Sequence, residues 1–311
     1  MKILFYTNMY PTAEDTVKGL FVKNQLESLQ KLGVEVEYLH LIVKNSKTDY
    51  IKSYFSLLKK IKNNNYDLIH AHYGFMGFIA ALQFKVPFVL TLHGSDANIW
   101  WQKIFSSFAS FFARKIIVTN KEHKEEFGNK AVLIPTGINS NVFFHVNQDE
   151  AKKKLGLKSN LKYIVFPSAR KRRVKNYPLY HQVLNKLKEM DSSYEELLLE
   201  DKTPEEVNLC YNAAEALLLT SFSEGSPLVI REALLTKLPI FSLDVGDVSE
   251  RIRNYENCFI IPNNVDIIVK KIYSFTLNEK RYAKNISNKN NFETLETNAQ
   301  ELINIYKFAL K

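Results

Sequence analysis

The stretch EGSPLVIRE, residues 224–232, sets two carboxylates eight positions apart around the start of an apolar helical pattern. Ser226 followed by Pro227 reads as an N-cap and a first helical residue. Gly225 allows a tight turn or a close approach of backbone to a ligand. The N–H groups of Leu228 and Val229 then point out of a helix N-terminus, a place that attracts phosphate or sugar hydroxyls. Glu224 stands outside that helix with its carboxylate toward the same mouth. Glu232 lies roughly 7–8 Å further in at 1.5 Å per residue. The spacing also fits a plain helix start with one surface Arg231–Glu232 pair, so it does not decide alone.

A second group shifts the balance. Arg170 and Lys175, in SARKRRVKN, follow the strand-like run YIVFPSA. They stand at its carboxyl end, the ligand side of a parallel sheet. Two cations facing a helix N-terminus make a clamp for a diphosphate. Arginine suits bidentate contact and lysine acts as a point charge. Glu232 could then accept hydrogen bonds from ribose hydroxyls, as carboxylates do for nucleotides. The charge distribution points the same way. Residues 151–190 carry 12 Lys and Arg against the single Glu189, whereas the whole chain has a net charge of +9. Such a block wants an anion, whether phosphate, nucleic acid or an acidic membrane surface, and a solvated helix face is the plain alternative.

These residues need elements to hold them. Through about residue 145, strand-like runs (KILFYTN, VEVEYLHLI, YDLIHAH, PFVLTLHG, KIIVTN, AVLIPTG) alternate with helical patterns such as LFVKNQLESLQKLG, which Gly33 can close. The same style returns later in LKYIVFPSA, EELLLE, EALLLTS, LPIFSLD and FIIPNN, with helices over NYPLYHQVLNKLKEM, PEEVNLCYNA and VDIIVKKIYSF between them. Alternation of this kind predicts an α/β fold with parallel sheets covered on both faces. We expect two Rossmann-like domains, 1–150 and 151–292, facing across a cleft between the carboxyl ends of their strands. A last amphipathic helix, 293–311, should pack back toward the first domain. At 311 residues, two cores are comfortable. Two isolated cysteines, Cys210 and Cys258, argue against a disulfide framework and for a reducing compartment. The start MKILFYTNMYP reads as a first strand rather than a signal peptide, and no apolar run reaches the roughly 18 residues that span a bilayer.

Taken together, the chain resembles a family 4 (group 1) glycosyltransferase, a retaining, metal-independent class with the GT-B fold of two Rossmann-like domains. The resemblance runs over nearly the whole length. It is carried by Glu224 and Glu232 at the family's Glu-x7-Glu spacing and by Arg170 and Lys175 at its Arg-x4-Lys spacing. The segments NMYPTAEDTVKGLFVKNQ, DLIHAHYG, LTLHGSD and IPTGINSNVF also match, in family order. What it implies is transfer of a sugar from a nucleotide-diphosphate-sugar donor to a glycan or lipid-linked acceptor, in cell-surface or exported polysaccharide biosynthesis. It further implies that Arg170 and Lys175 neutralise the leaving diphosphate and that Glu232 binds the ribose. Glu224 and the amides after Gly225, over Ser226, Pro227, Leu228 and Val229, would hold the transferred sugar and phosphate. His93 would bond the donor sugar, and Gly19 would let backbone approach the phosphate. Gly246 and Glu250 match a following Gly-x3-Glu of structural character. No cofactor and no metal are implied, because the two cations take a metal's place at the leaving group.

The sequence departs from the family in two places. Lys18 fills a position that is often glycine. The stretch from Leu187 to Pro204 is short, with EELLLE in place of a strand, Gly-x-Gly turn and helix, so Glu200 and Asp201 are the residues expected to flank the base. His70 and His72, at strand spacing on one face, are expected to line the strand end on the acceptor side. A metal pair there lacks a third ligand at suitable spacing. The aromatic run NIWWQKIFSSFASFFARK is expected to bury one helix face. The alternative is a helix that touches membrane, together with SYFSLLKKIKNNN (53–65), on a cytoplasmic protein bound peripherally to the inner face. A GT-B-shaped nucleotide-sugar epimerase is the runner-up activity. Nucleic-acid binding is disfavoured because no aromatics interleave the basic block, and a dehydrogenase because no GxGxxG follows the first strand.

Overall fold

The computed structural model describes residues 1–15, 18–42, 48–93, 100–277, 282–285 and 293–311. The chain divides into two compact units. One comprises Met1–Gly137 with Glu293–Lys311, the other Ile138–Phe292. The boundary thus falls at 137/138 rather than at 150. The reason is packing: Ile138 and Phe143 are buried in the apolar core of the second unit.

In the first unit the strands are β1 (Lys2–Thr7), β2 (Glu35–His40), β3 (Leu68–His72), β4 (Phe88–Leu92), β5 (Ile116–Val118) and β6 (Ala131–Leu133). They form one sheet in the order β2-β1-β3-β4-β5-β6, parallel throughout. The helices between them are α1 (Leu20–Lys31), α2 (Thr48–Asn63), α3 (Gly74–Ala81), α4 (Trp100–Phe112) and α5 (Lys121–Phe127). Side chains alternate across the sheet, as strand geometry requires. Leu4 and Tyr6 of β1 enter the core beneath α2, α3 and α4, while Ile3 and Phe5 enter the other core with α1.

The second unit opens with α6 (Gln148–Lys154). It then runs β7 (Lys162–Phe166), α7 (Tyr177–Met190), β8 (Tyr194–Leu198), α8 (Pro204–Ala213), β9 (Ala216–Leu219) and α9 (Leu228–Leu235). After these come β10 (Ile240–Ser242), α10 (Val248–Ile252), β11 (Tyr255–Glu256), β12 (Cys258–Ile260), α11 (Val265–Thr276) and β13 (Lys284–Asn285). The main sheet is β12-β10-β9-β7-β8, again all parallel, and β11 pairs β13 antiparallel. The short EELLLE region makes the edge strand β8 and leads through a turn at Asp201, φ 57°, straight into α8. Thr203 and Glu206 start α8 with a reciprocal capping box.

The final helix, α12 (Leu295–Ala309), belongs to the first unit. Its Ala299, Leu302 and Tyr306 share a core with Ile3, Phe5 and Leu29. Asn298 donates from Nδ2 to the Pro135 carbonyl at 2.5 Å and accepts from Gln25 at 3.3 Å. Residues 293–311 therefore help to cover the sheet that β1 begins.

One expected burial is reversed. In α4 the buried residues are Ser106, Ala109 and Ser110, whereas Trp100 and Phe111 are each 75% exposed. The small residues of α4 pack on the glycines of α3. A Cβ on Gly74 would lie 1.8 Å from Ser106 Oγ, and one on Gly77 3.0 Å from Ala109 Cβ. Close approach through the small side turns most of the large aromatics outward. Phe105 remains against Phe75 and Phe78. In α2 the apolar residues divide: Leu57 and Ile61 are core, while Ile51 and Phe55 are exposed.

Candidate active site

In the second unit the segments after β7, β9 and β10 all leave the carboxyl end of one sheet, where open α/β sheets bind ligands. Lys175 closes a short turn after β7 and is only 7% exposed. Its Nζ donates to Glu224 Oε1 at 2.5 Å, and Ser221 Oγ donates to the same oxygen at 2.6 Å. Backbone ties hold the two loops together. Thr220 Oγ1 donates to the carbonyls of Lys175 and Asn176 at 3.1 Å each, and Phe222 N–H donates to the Val174 carbonyl at 2.8 Å. Lys175 and Glu224, 49 positions apart, are therefore a fixed pair rather than two mobile surface charges.

Ser226 does not cap the helix. Pro227, at φ −70° and ψ 120°, occupies the cap position of α9, and no side chain caps it. The Ser226 hydroxyl is taken up elsewhere: it donates to Asp247 Oδ2 at 2.7 Å and accepts from Arg231 Nη2 at 2.5 Å. Asp247 Oδ2 also accepts from Arg251 Nε at 2.9 Å. This strap fastens the Gly225–Pro227 loop to the segment after β10. Gly246 is required within it, because a Cβ there would meet the Gly225 carbonyl oxygen at 2.4 Å, at a φ of 54°. Leu228 and Val229 then begin α9 with first-turn amides that receive no side-chain cap from Pro227, a favourable end for an anion.

Glu232 sits one turn further along α9 and accepts from the Tyr211 hydroxyl at 2.9 Å. Burial pushes its carboxyl up to about 7, against the smaller opposing pulls of the Tyr211 hydrogen bond and of Arg231. Arg170 lies apart from these. Its guanidinium pairs with Glu196 of β8 and stands 5.2 Å over the Tyr177 ring, and Tyr177 donates to the other Glu196 oxygen at 2.9 Å. Half of the Arg170 side chain is exposed. Glu200 and Asp201 occupy the turn after β8, on the same sheet end.

In the first unit, His93 directly follows β4 and Gly19 caps α1 in the left-handed region, φ 73°. A Cβ on Gly19 would lie 2.3 Å from the Met9 carbonyl carbon, so this glycine is needed for packing against the loop after β1. Residues 94–99, including the rest of LTLHGSD and the start of the aromatic run, lie outside the described residues. His70 and His72 do not line an acceptor surface: both are completely buried. They share the face of β3 that carries Leu68 into the core. His70 is held between Tyr306 Oη and Thr91 Oγ1, each at 2.6 Å. Among the described residues no three His, Cys, Asp or Glu side chains are placed to hold a metal ion.

Ser221, Tyr211, Asp247, Tyr177 and Glu196 are site neighbours that the motif spacing did not pick out. Asp247 had a local signal in being next to Gly246. Ser221 and Tyr177 lie within three positions of Glu224 and Lys175, whereas Tyr211 and Glu196 are brought to the motif residues only by the fold.

Comparison with known proteins places the chain by family and fold. Residues 20–142 match the family model Glycosyltransferase Family 4, and residues 196–292 match Glycosyl transferases group 1. The chain is 23% identical, over 88% of both proteins, to TuaC of Bacillus subtilis (strain 168), a glycosyltransferase named for teichuronic acid biosynthesis. It is 27% identical to the UDP-Gal:alpha-D-GlcNAc-diphosphoundecaprenol alpha-1,3-galactosyltransferase of Escherichia coli, over 73% of this chain and 70% of that one. The crystal structure of Anabaena Alr3699/HepE in complex with UDP and glucose superposes with a TM-score of 0.73 at 16% identity, covering 99% of each chain. That likeness establishes the fold as GT-B.

Proposed function

Because the chain belongs to the group 1 glycosyltransferases of family 4, we propose that it transfers a sugar from a nucleotide-diphosphate-sugar donor to a glycan or lipid-linked glycan acceptor. We further propose retention of configuration, independence of metal ions and a place in cell-surface or exported polysaccharide assembly. The observation that carries this reading is the buried Lys175–Glu224–Ser221 group beside the uncapped N-terminus of α9. An ammonium and aligned amides at one sheet end suit the charge that develops on a departing diphosphate. Arg170 adds a second cation on the same loop. Its half-exposed pair with Glu196 is cheaply exchanged for a phosphate.

In this reading Glu232 accepts from the ribose hydroxyls and Glu200 and Asp201 flank the base. Glu224, Gly225, Ser226, Pro227, Leu228 and Val229 frame the sugar and phosphates, and His93 and Gly19 contribute from the first unit. The bond from the anomeric carbon to phosphate breaks while the bond to the acceptor oxygen forms on the same face. The acceptor proton leaves with the diphosphate, and no protein nucleophile is required. The relative named for a diphosphoundecaprenol substrate supports a lipid-linked acceptor. The transferase names of both relatives favour transfer over epimerisation. The test is release of nucleoside diphosphate from a panel of donor sugars with and without EDTA, with the product anomer read by NMR. Release that survives EDTA with the donor's anomeric configuration kept is expected. A strict need for Mg²⁺ or Mn²⁺, an inverted product, or an isomerised donor without acceptor would contradict the proposal.

We also propose cytoplasmic work at the inner face of a membrane, held peripherally. The support is α4, which exposes Trp100, Trp101, Ile104 and Phe111. Beside it, Phe84 and Phe112 line one surface hollow with Lys85, Arg114 and Lys130. Aromatic side chains rimmed by cations suit the interface of an anionic bilayer, where each basic residue contributes about 1 kcal/mol. No helix among the described residues is long and apolar enough to cross a membrane. Co-sedimentation with anionic liposomes should fall at high salt and on Trp100→Ser/Phe111→Ser. Equal, negligible pelleting with anionic and neutral vesicles at any salt would refute the contact.

A further inference from the structure

Behind His93 lies a group of side chains that the donor site does not use. His72, the last residue of β3, places Nδ1 3.2 Å from His93 Nε2, with the two rings nearly parallel at 5.4 Å. Phe5 packs on His72 at 4.8 Å. Phe21 and Tyr73 press on His93 at 4.8 and 4.6 Å. Tyr73 does so from a backbone conformation of φ 74° and ψ 145°, and its N–H donates to the Thr91 carbonyl at 2.9 Å. A bulky residue held at positive φ marks a place where surrounding structure imposes the conformation. Three elements thus converge to hold one imidazole.

We propose that His72 is a positioning residue that locks His93 in a single orientation and in the tautomer protonated at Nδ1. Burial keeps both rings neutral, pushing His93 down to about 3 and His72 well below its ordinary value. Each ring therefore carries one N–H and one bare nitrogen. His72 Nε2 is buried and meets no hydrogen-bond partner among the described residues. A buried N–H without an acceptor is the costlier of the two orphans. The His72 proton accordingly sits on Nδ1 and is donated to His93 Nε2. His93 must then carry its own proton on Nδ1, and its Nε2, already accepting from His72, cannot act as a base. The catalytic consequence rests on the reading that His93 touches the donor sugar; the tautomer does not.

Nuclear magnetic resonance of ¹⁵N-histidine-labelled protein tests the tautomer without substrate, and seven histidines keep the spectrum assignable. The expected result is one His93 species protonated at Nδ1, with a scalar coupling across the bond to His72 Nδ1. A His93 protonated at Nε2, or a mixture of tautomers, would overturn the proposal even if no variant folds. The kinetic arm compares His72→Asn, whose amide N–H can replace Nδ1–H, with His72→Phe, which keeps the ring and loses the donor. The phenylalanine variant should lose about 10- to 100-fold in kcat with donor KM little changed, and asparagine should restore most of it. Equal losses in both variants, or a loss confined to KM, would show a packing role only. Absence of any transfer by the wild-type protein would count against the glycosyltransfer reading and leave the spectroscopic result standing.

Discussion

Lys175→Met is expected to lower transfer by about 10²–10³-fold, the usual loss when one donor to a developing oxyanion is removed. It should also destabilise the fold by about 3 kcal/mol. The second effect follows from burial. The side chains of Lys175 and Glu224 are only 9% and 13% exposed, so losing the ammonium strands a carboxylate whose remaining partner is Ser221. The two effects separate in the double variant Lys175→Met/Glu224→Gln. A neutral amide still accepts from Ser221, so denaturant unfolding should show most of the stability restored while turnover stays low. Arg170→Ala should cut transfer comparably with little change in stability, because its ion pair is half-exposed. Normal turnover in Lys175→Met would remove this lysine from the site.

The second large effect concerns Glu232. Its carboxyl is raised from 4.5 to about 7 by burial. If the carboxylate accepts from ribose hydroxyls, donor affinity should rise as pH increases through about 7 and level off above it. Below that point each pH unit weakens binding about tenfold, as the protonated fraction saturates. Glu232→Gln should flatten the profile and cost about 10- to 100-fold in affinity at pH 8, the worth of hydrogen bonds to a charged acceptor. Stability moves the other way. The folded state holds this proton more tightly than the unfolded chain, so the favourable contribution is complete below about 4.5 and is lost as pH rises through about 7. Tyr211→Phe removes a hydrogen bond that favours the charged form, and should carry the affinity midpoint to higher pH. A donor-binding profile flat from pH 6 to 8 in the wild-type protein would exclude Glu232 from ribose binding.

The periodicities were sufficient for the sheets because their central strands, β1, β3, β4 and β9 among them, are buried on both faces and bounded by turn residues. PEEVNLCYNA became α8 without a shift at either end, since Pro204 and the Thr203–Glu206 box are local signals. Where the outcome depended on a residue far away, local reading failed. Ser226 has the right type for an N-cap, but Asp247 and Arg231 take its hydroxyl. The aromatic residues of α4 repeat at helical spacing, and spacing cannot tell that Gly74 and Gly77 of another helix invite the small side instead. His70 and His72 looked like strand-end ligands, yet their parity with Leu68 sends them into the core, where Tyr306, 236 positions from His70, supplies a hydroxyl. The candidate site shows the same division. Motif spacing picked out Lys175, Glu224 and Glu232, whereas Ser221 and Tyr211, which donate hydrogen bonds to the two glutamates, carry no signature of their own: one lies in the loop after β9 and the other in α8.

Donor binding is tested most directly by calorimetric titration of UDP, GDP and ADP into the full chain in EDTA, for wild type, Lys175→Met and Glu232→Gln. At least one nucleoside diphosphate is expected to bind the wild-type protein without metal, and both substitutions to weaken that binding at pH 8 while the fold remains intact. Failure of all three to bind, or binding that neither substitution alters, would contradict the donor-site assignment.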